Sequence, residues 1–129
     1  MGAWGVKPLE NDGALDWLAE YHDDSDIERI FRKIQSYDRK LNDIPSFAGE
    51  EAIAACWLLI DLHKPKKRLF RKPLTITPKK VLIQSAINTL DLLITDRSEL
   101  RELWDDSGEL SKWLASIDEL TKSLQQLIE

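Results

Sequence analysis

Between Ala52 and Leu62 the chain is apolar almost without a break: Ala52, Ile53, Ala54, Ala55, Cys56, Trp57, Leu58, Leu59, Ile60 and Leu62. No other segment constrains the fold as much. The run is too long for an ordinary buried strand, and as a helix over Gly49 to Leu62 it is apolar on nearly every face. Such a helix is stable only when neighbours cover it all round. The small side chains of Ala52, Ala54 and Ala55 let those neighbours come close. The longest unbroken part, Ala52 to Ile60, is about half of a membrane span, so the expectation is a central helix in a globular protein, with no membrane association.

The rest of the chain supplies the cover. A first helix is expected over Gly13 to His22, with Asn11 or Asp12 as cap and Asp12 and Asp16 favoured near the positive end of the helix dipole. Ser25-Asp26-Ile27-Glu28 has capping-box spacing. Behind it Ile27, Ile30, Phe31, Ile34 and Tyr37 share one face, to an end near Leu41. Asn42 to Phe47 reads as a loop. Thr77 and Pro78 form a favoured start for a helix carrying Val81, Leu82, Ile83, Ala86, Ile87, Leu90, Leu93 and Ile94. Asp96-Arg97-Ser98-Glu99 and Asp106-Ser107-Gly108-Glu109 are two more start signals. Leu100, Leu103 and Trp104 follow the first, and Leu110, Trp113, Leu114, Ile117, Leu120, Leu124, Leu127 and Ile128 follow the second. The only β-flavoured piece, Leu74 to Thr77, is too short to build a sheet. The expectation is an all-α fold: a compact bundle of five or six helices around a buried central helix, residues 1–129 forming one domain.

Three sequence segments resemble a family of small bacterial proteins classed as a domain of unknown function. They are Gly2-Ala3-Trp4-Gly5, then Glu10-Asn11-Asp12, then Ala14-Leu15-Asp16-Trp17. The resemblance continues through Glu51 to Ala55, Ser98-Glu99-Leu100-Arg101-Glu102-Leu103-Trp104-Asp105, and the leucine-rich stretch from Trp113 to Leu127. The chain departs from the family pattern at Lys7 and Leu9. The resemblance implies a shared fold and a bacterial source, and it assigns no reaction.

Charge is unevenly placed. Of eighteen lysines and arginines, eight lie between Lys64 and Lys80, a span with no acid, which leaves ten bases against 23 acids elsewhere. Pro65, Pro73 and Pro78 make His63 to Pro78 a basic, non-helical loop. Lys64, Lys66, Lys67, Arg68, Arg71 and Lys72 are its candidate anion-binding residues, with Phe70 able to stack on a base. An acidic body opposes a phosphate backbone elsewhere, so nucleic acid is the weaker reading of this loop and charge balance the stronger.

Catalytic arrangements are sparse. Cys56 and His63 are two turns apart, about 10 Å along a helix axis, too far for a thiol–imidazole pair. His22-Asp23-Asp24 offers metal-ligating types, but adjacent helical residues diverge. There is no glycine-rich phosphate loop after a strand. No metal and no cofactor is expected. One cysteine and no secretory signal fit the cytoplasm. The functional expectation is a protein-binding module without enzymatic activity, of immunity or antitoxin type, that sequesters a basic partner such as a toxin. Asp16, Glu20, Asp23, Glu99, Glu102, Asp105 and Asp106 are its candidate contacts, because acidic faces steer association with basic partners. The alternative is a small nucleic-acid-associated protein or enzyme that uses the basic loop.

Overall fold

The computed structural model describes residues 5–63 and 79–128. They form six helices: α1 (Asp12–Glu20), α2 (Asp24–Arg39), α3 (Ser46–Leu62), α4 (Lys79–Leu93), α5 (Glu99–Asp106) and α6 (Leu110–Leu127). Among the described residues there is no strand; Ile44 and Ser98 form one isolated parallel bridge. The basic loop, Trp4 and the Thr77-Pro78 start signal lie outside the described residues. No helix is long and apolar enough to cross a membrane, among the residues described.

Helix α3 is the centre of the all-α bundle, and it touches each of the other five helices. Around it α2 packs on α4, α4 on α6, and α6 on α5. Ala48, Ala52, Ala54, Ala55, Cys56, Leu58 and Leu59 are fully enclosed. Gly49 is buried too, and a Cβ placed there would sit 3.3 Å from Leu100 and 3.5 Å from Leu93. That glycine sets how closely α3 approaches its neighbours. The segment from Gly5 to Asn11 runs beside α3, with Val6 and Leu9 packed against the core.

Start and stop signals were partly displaced from where the residue pattern put them. Asn11 caps α1, its Oδ1 accepting from the Ala14 N–H at 2.7 Å. For α2 the cap is Asp23, not Ser25. Asp23 accepts from the Ser25 N–H at 2.9 Å, and Asp26 reaches back to the His22 N–H at 2.7 Å. Asp23 and Asp26 have capping-box spacing two residues ahead of Ser-x-x-Glu, but their bonds go to the N–H groups of Ser25 and His22, one position away from those of a capping box. Helix α3 starts at Ser46, three residues early. Its N-cap, Pro45, offers no side-chain acceptor, and Glu99 supplies one from α5, accepting from the Ser46 N–H at 3.0 Å. Helix α5 starts at the Asp96 to Glu99 signal, with Ser98 as its cap. Asp106 to Glu109 opens α6, whose N-cap is Glu109, and it also carries the stop signal of α5. Gly108 is left-handed (φ 81°), and the Glu109 and Gly108 N–H groups bond back to Trp104 and Asp105. These are the paired bonds of a Schellman motif.

Helix α2 ends in the same motif, with the Asn42 N–H on the Tyr37 carbonyl and the Leu41 N–H on the Asp38 carbonyl. Its left-handed position is Leu41 (φ 57°), a branched side chain that is 71% exposed. Other apolar positions also differ from expectation, among them Leu127 of α6 at 36% exposure. Val81 of α4 faces outward at 58% exposure, because the covered arc of α4 runs through Leu82, Ile83, Ala86, Leu90 and Leu93, and Ile94, at 40% exposure, lies just past the end of that helix. Trp57 is only half-buried, whereas Trp104 and Trp113 are buried.

Leu41→Gly is therefore expected to stabilise the protein by about 1 kcal/mol, since the left-handed backbone penalises a Cβ and no buried contact is lost. A denaturant midpoint that falls would contradict that reading. Trp113→Ala is expected to cost about 3–5 kcal/mol and Trp57→Ala clearly less. Equal losses in urea unfolding would show that Trp57 is enclosed after all.

Candidate functional site

Helices α1, α2 and α3 meet around a groove of about 330 Å³ lined by Trp17, Glu20, Tyr21, His22, Asp26, Arg29, Ile30, Lys33 and Glu51. Its position follows from the local fold. Helix α1 ends at Glu20, Tyr21 turns the chain in extended geometry, and Asp23 starts α2 two residues later. A connection that short splays the two helices from a common point, and α3 lies beneath the opening.

The groove has an aromatic wall. Trp17 and Tyr21 stack with their planes 13° apart and centroids at 5.7 Å. Tyr21 is the inner ring, almost wholly buried, and Trp17 the outer one. Burial, with Asp61 as a second influence, holds the Tyr21 phenol above its ordinary pKa. The stack of Trp17 on Tyr21 was hidden in the sequence, because an i, i+4 pair of aromatics fits a core face equally well.

The charges of the groove are of both signs. Asp26 is committed: one carboxylate oxygen holds the His22 N–H and the other pairs with Arg29 at 3.0 Å. The Lys33 ammonium lies 5.0 Å from the centre of the Phe47 ring. Glu51 of α3 is half-buried, and that burial raises its pKa; Lys33 opposes the shift and Glu20 adds to it. Among the described residues neither Glu20 nor Glu51 takes part in a hydrogen bond or a close ion pair. Glu51 was not among the expected contacts, because a glutamate in the first turns of an apolar helix, beside Glu50, gives no sign of which neighbours flank it.

The expected acidic contacts divide into two groups. Asp16 and Glu20 are exposed on α1, and Glu102, Asp105 and Asp106 on α5. Asp23 and Glu99 have structural tasks. Asp23 caps α2 and also accepts from the Ser25 hydroxyl, and these bonds hold its carboxyl below the usual range. Glu99 caps α3 while its own N–H bonds to the Ile44 carbonyl at 3.0 Å. Asp24, beside them in sequence, is buried. The acidic body is also less uniform than its composition implies. Arg29, Arg32, Lys33 and Arg39 are exposed on α2, and Lys40 is exposed at its C-cap. Lys64, Lys66, Lys67, Arg68, Arg71 and Lys72 lie outside the described residues.

Cys56 is sealed in the core with its Sγ 3.8 Å from the Ala86 carbonyl, and burial drives its pKa far upward. A thiol so held is a packing group. His63 directs Nδ1 to the Leu59 carbonyl at 2.6 Å, within its own helix. Among the described residues no three His, Cys, Asp or Glu side chains converge as a metal site would require.

A family model described as a domain of unknown function, DUF4259, matches residues 2–116. The chain belongs to that family. No curated protein and no solved structure matches it. The DUF4259 match takes in α1 to α5 and the first turns of α6, so the groove and both acidic helices lie within it.

Glu51 gives a direct test of the groove's electrostatics. A carboxyl whose folded pKa is raised favours folding when protonated, and that contribution is lost as pH rises through the folded value. Glu51→Gln is therefore expected to raise the melting temperature at pH 7, with the gain vanishing below the ordinary glutamate range near pH 4. A gain that is the same at both pH values would mean that Glu51 is not held at an electrostatic disadvantage.

Proposed function

We propose that this DUF4259 protein is a binding module without enzymatic activity, of immunity or antitoxin type, that engages a basic protein partner. The observation that supports the reading is the state of five carboxylates. Asp16, Glu20, Glu102, Asp105 and Asp106 are exposed, and none is hydrogen-bonded or ion-paired among the described residues. Carboxylates left open in this way are available to steer a basic partner and to pair with it. The sealed thiol and the inward-bonded His63 supply no nucleophile and base, which favours binding over covalent chemistry. A single reduced cysteine fits the bacterial cytoplasm as the setting. The immunity comparison rests on size and acidity and is analogy.

The test uses the full chain as bait in lysate of its source organism, beside a variant with Glu102→Lys, Asp105→Lys and Asp106→Lys. These side chains lie outside the core, so folding is expected to change by no more than about 0.5 kcal/mol. The wild-type chain is expected to retain a basic protein whose capture weakens as salt rises and is lost in the variant. Equal capture by both chains would overturn the acidic-surface reading. Retention of RNA or DNA instead, lost on neutralising Lys66, Lys67 and Arg68, would establish the nucleic-acid alternative.

A further inference from the structure

The groove between α1, α2 and α3 offers chemistry more specific than a negative surface. Its bases are engaged: Arg29 pairs with Asp26 at 3.0 Å, and Lys33 sits over Phe47. Its two open carboxylates, Glu20 and Glu51, come from different helices and line the same groove, and the charge of Glu20 adds to the burial that disfavours ionisation of Glu51. Beside them stands the indole of Trp17, backed by the buried ring of Tyr21 and so fixed in plane. Lys33 acts on Glu51 from a distance without offsetting its burial, so two carboxylates with no close ion-pair partner among the described residues stand next to an aromatic wall and call for a cation. The geometry selects among cations as well. A guanidinium is planar, stacks on an indole, is weakly hydrated and can bond a carboxylate through two parallel N–H groups. An ammonium satisfies the charge but neither stacks nor forks. An anion would meet Glu20 and Glu51 with Arg29 already paired. A volume of about 330 Å³ suits one long side chain, at the lower end of small-ligand sites.

We propose that this groove is an arginine-recognition pocket, in which a guanidinium presented by the partner stacks on Trp17 and pairs with Glu20 and Glu51. The proposal rests on the reading of a basic protein partner and assigns that partner an exposed arginine as its anchor. Arginines seated in pockets beside aromatic rings are common energetic centres of interfaces. The pocket also gives a role to Glu51, a half-buried carboxylate whose burial otherwise only opposes its ionisation.

The decisive experiment needs no partner. The isotopically labelled full chain is titrated by NMR with N-acetyl-arginine amide, N-acetyl-lysine amide and the neutral isostere N-acetyl-citrulline amide. Arginine amide is expected to give saturable shifts at the Trp17 indole N–H and the Glu51 amide. Lysine amide should bind about tenfold more weakly, and citrulline amide should not bind at all. The Glu20→Gln, Glu51→Gln double variant should weaken arginine binding by about tenfold or more with unchanged circular dichroism, and Trp17→Phe by several-fold. Equal binding of citrulline, indifference to the double variant, or shifts confined to the Asp105 and Asp106 surface would each overturn the pocket. None of those results touches the capture experiment with the α5 reversals. Arginine binding in the groove with no effect of the α5 reversals would leave the pocket standing and remove the acidic-surface reading.

Discussion

Everything in this structure depends on the burial of α3. Enclosing one leucine or isoleucine side chain contributes about 1.5–3 kcal/mol, and α3 encloses Ile53, Leu58, Leu59 and Leu62 together with four alanines and Cys56. The ion pairs are on a different scale. Arg29–Asp26, Arg32–Glu28, Lys112–Glu109 and Lys122–Asp118 join near neighbours on the surface, where such pairs give about 0–1 kcal/mol each. The apolar contacts therefore decide the architecture, and the charges are left to function or to local capping.

That division explains how the candidate site is built. The groove lies over the part of α3 where the covering helices diverge, at the short turn from α1 to α2. Its floor inherits rigidity from the core through Tyr21 and Ile30, which are both buried. Its rim carries Glu20, Arg29 and Lys33, which are exposed. A rigid aromatic floor with a charged rim is the arrangement that orders an incoming side chain with little entropy lost by the protein.

Sequence reasoning reached the all-α bundle and its centre because both follow from composition at known periods. An apolar run with no polar face admits one location, and the i, i+3, i+4 patterns of α2, α4 and α6 supply its cover. It failed where two groups compete for the same local task. Ser25 and Asp23 can each cap a helix, and the winner was set by how tightly the chain turns after Tyr21. Asp106 to Glu109 begins α6 as read, but it also ends α5, and the left-handed Gly108 that does so lies within the same four residues. Glu99 and Asp23 looked like free surface charge, because a cap supplied from another helix, or shared with a neighbouring hydroxyl, leaves no periodic trace. The groove was illegible for the same reason: Trp17, Glu20 and Glu51 are brought together by packing, and only the first two share a helix.

The central claim is that α3 is the element on which the other five are organised. Amide hydrogen exchange in the native state, read residue by residue, tests it most directly. The amides from Ala52 to Leu62 are expected to exchange only through global unfolding, with one common free energy equal to that of denaturant unfolding, while those of α1 and α5 open at lower free energies. Amides of α3 that exchange more easily than those of α4 and α6 would contradict the account, because the helix taken as the centre would then be a part that opens first.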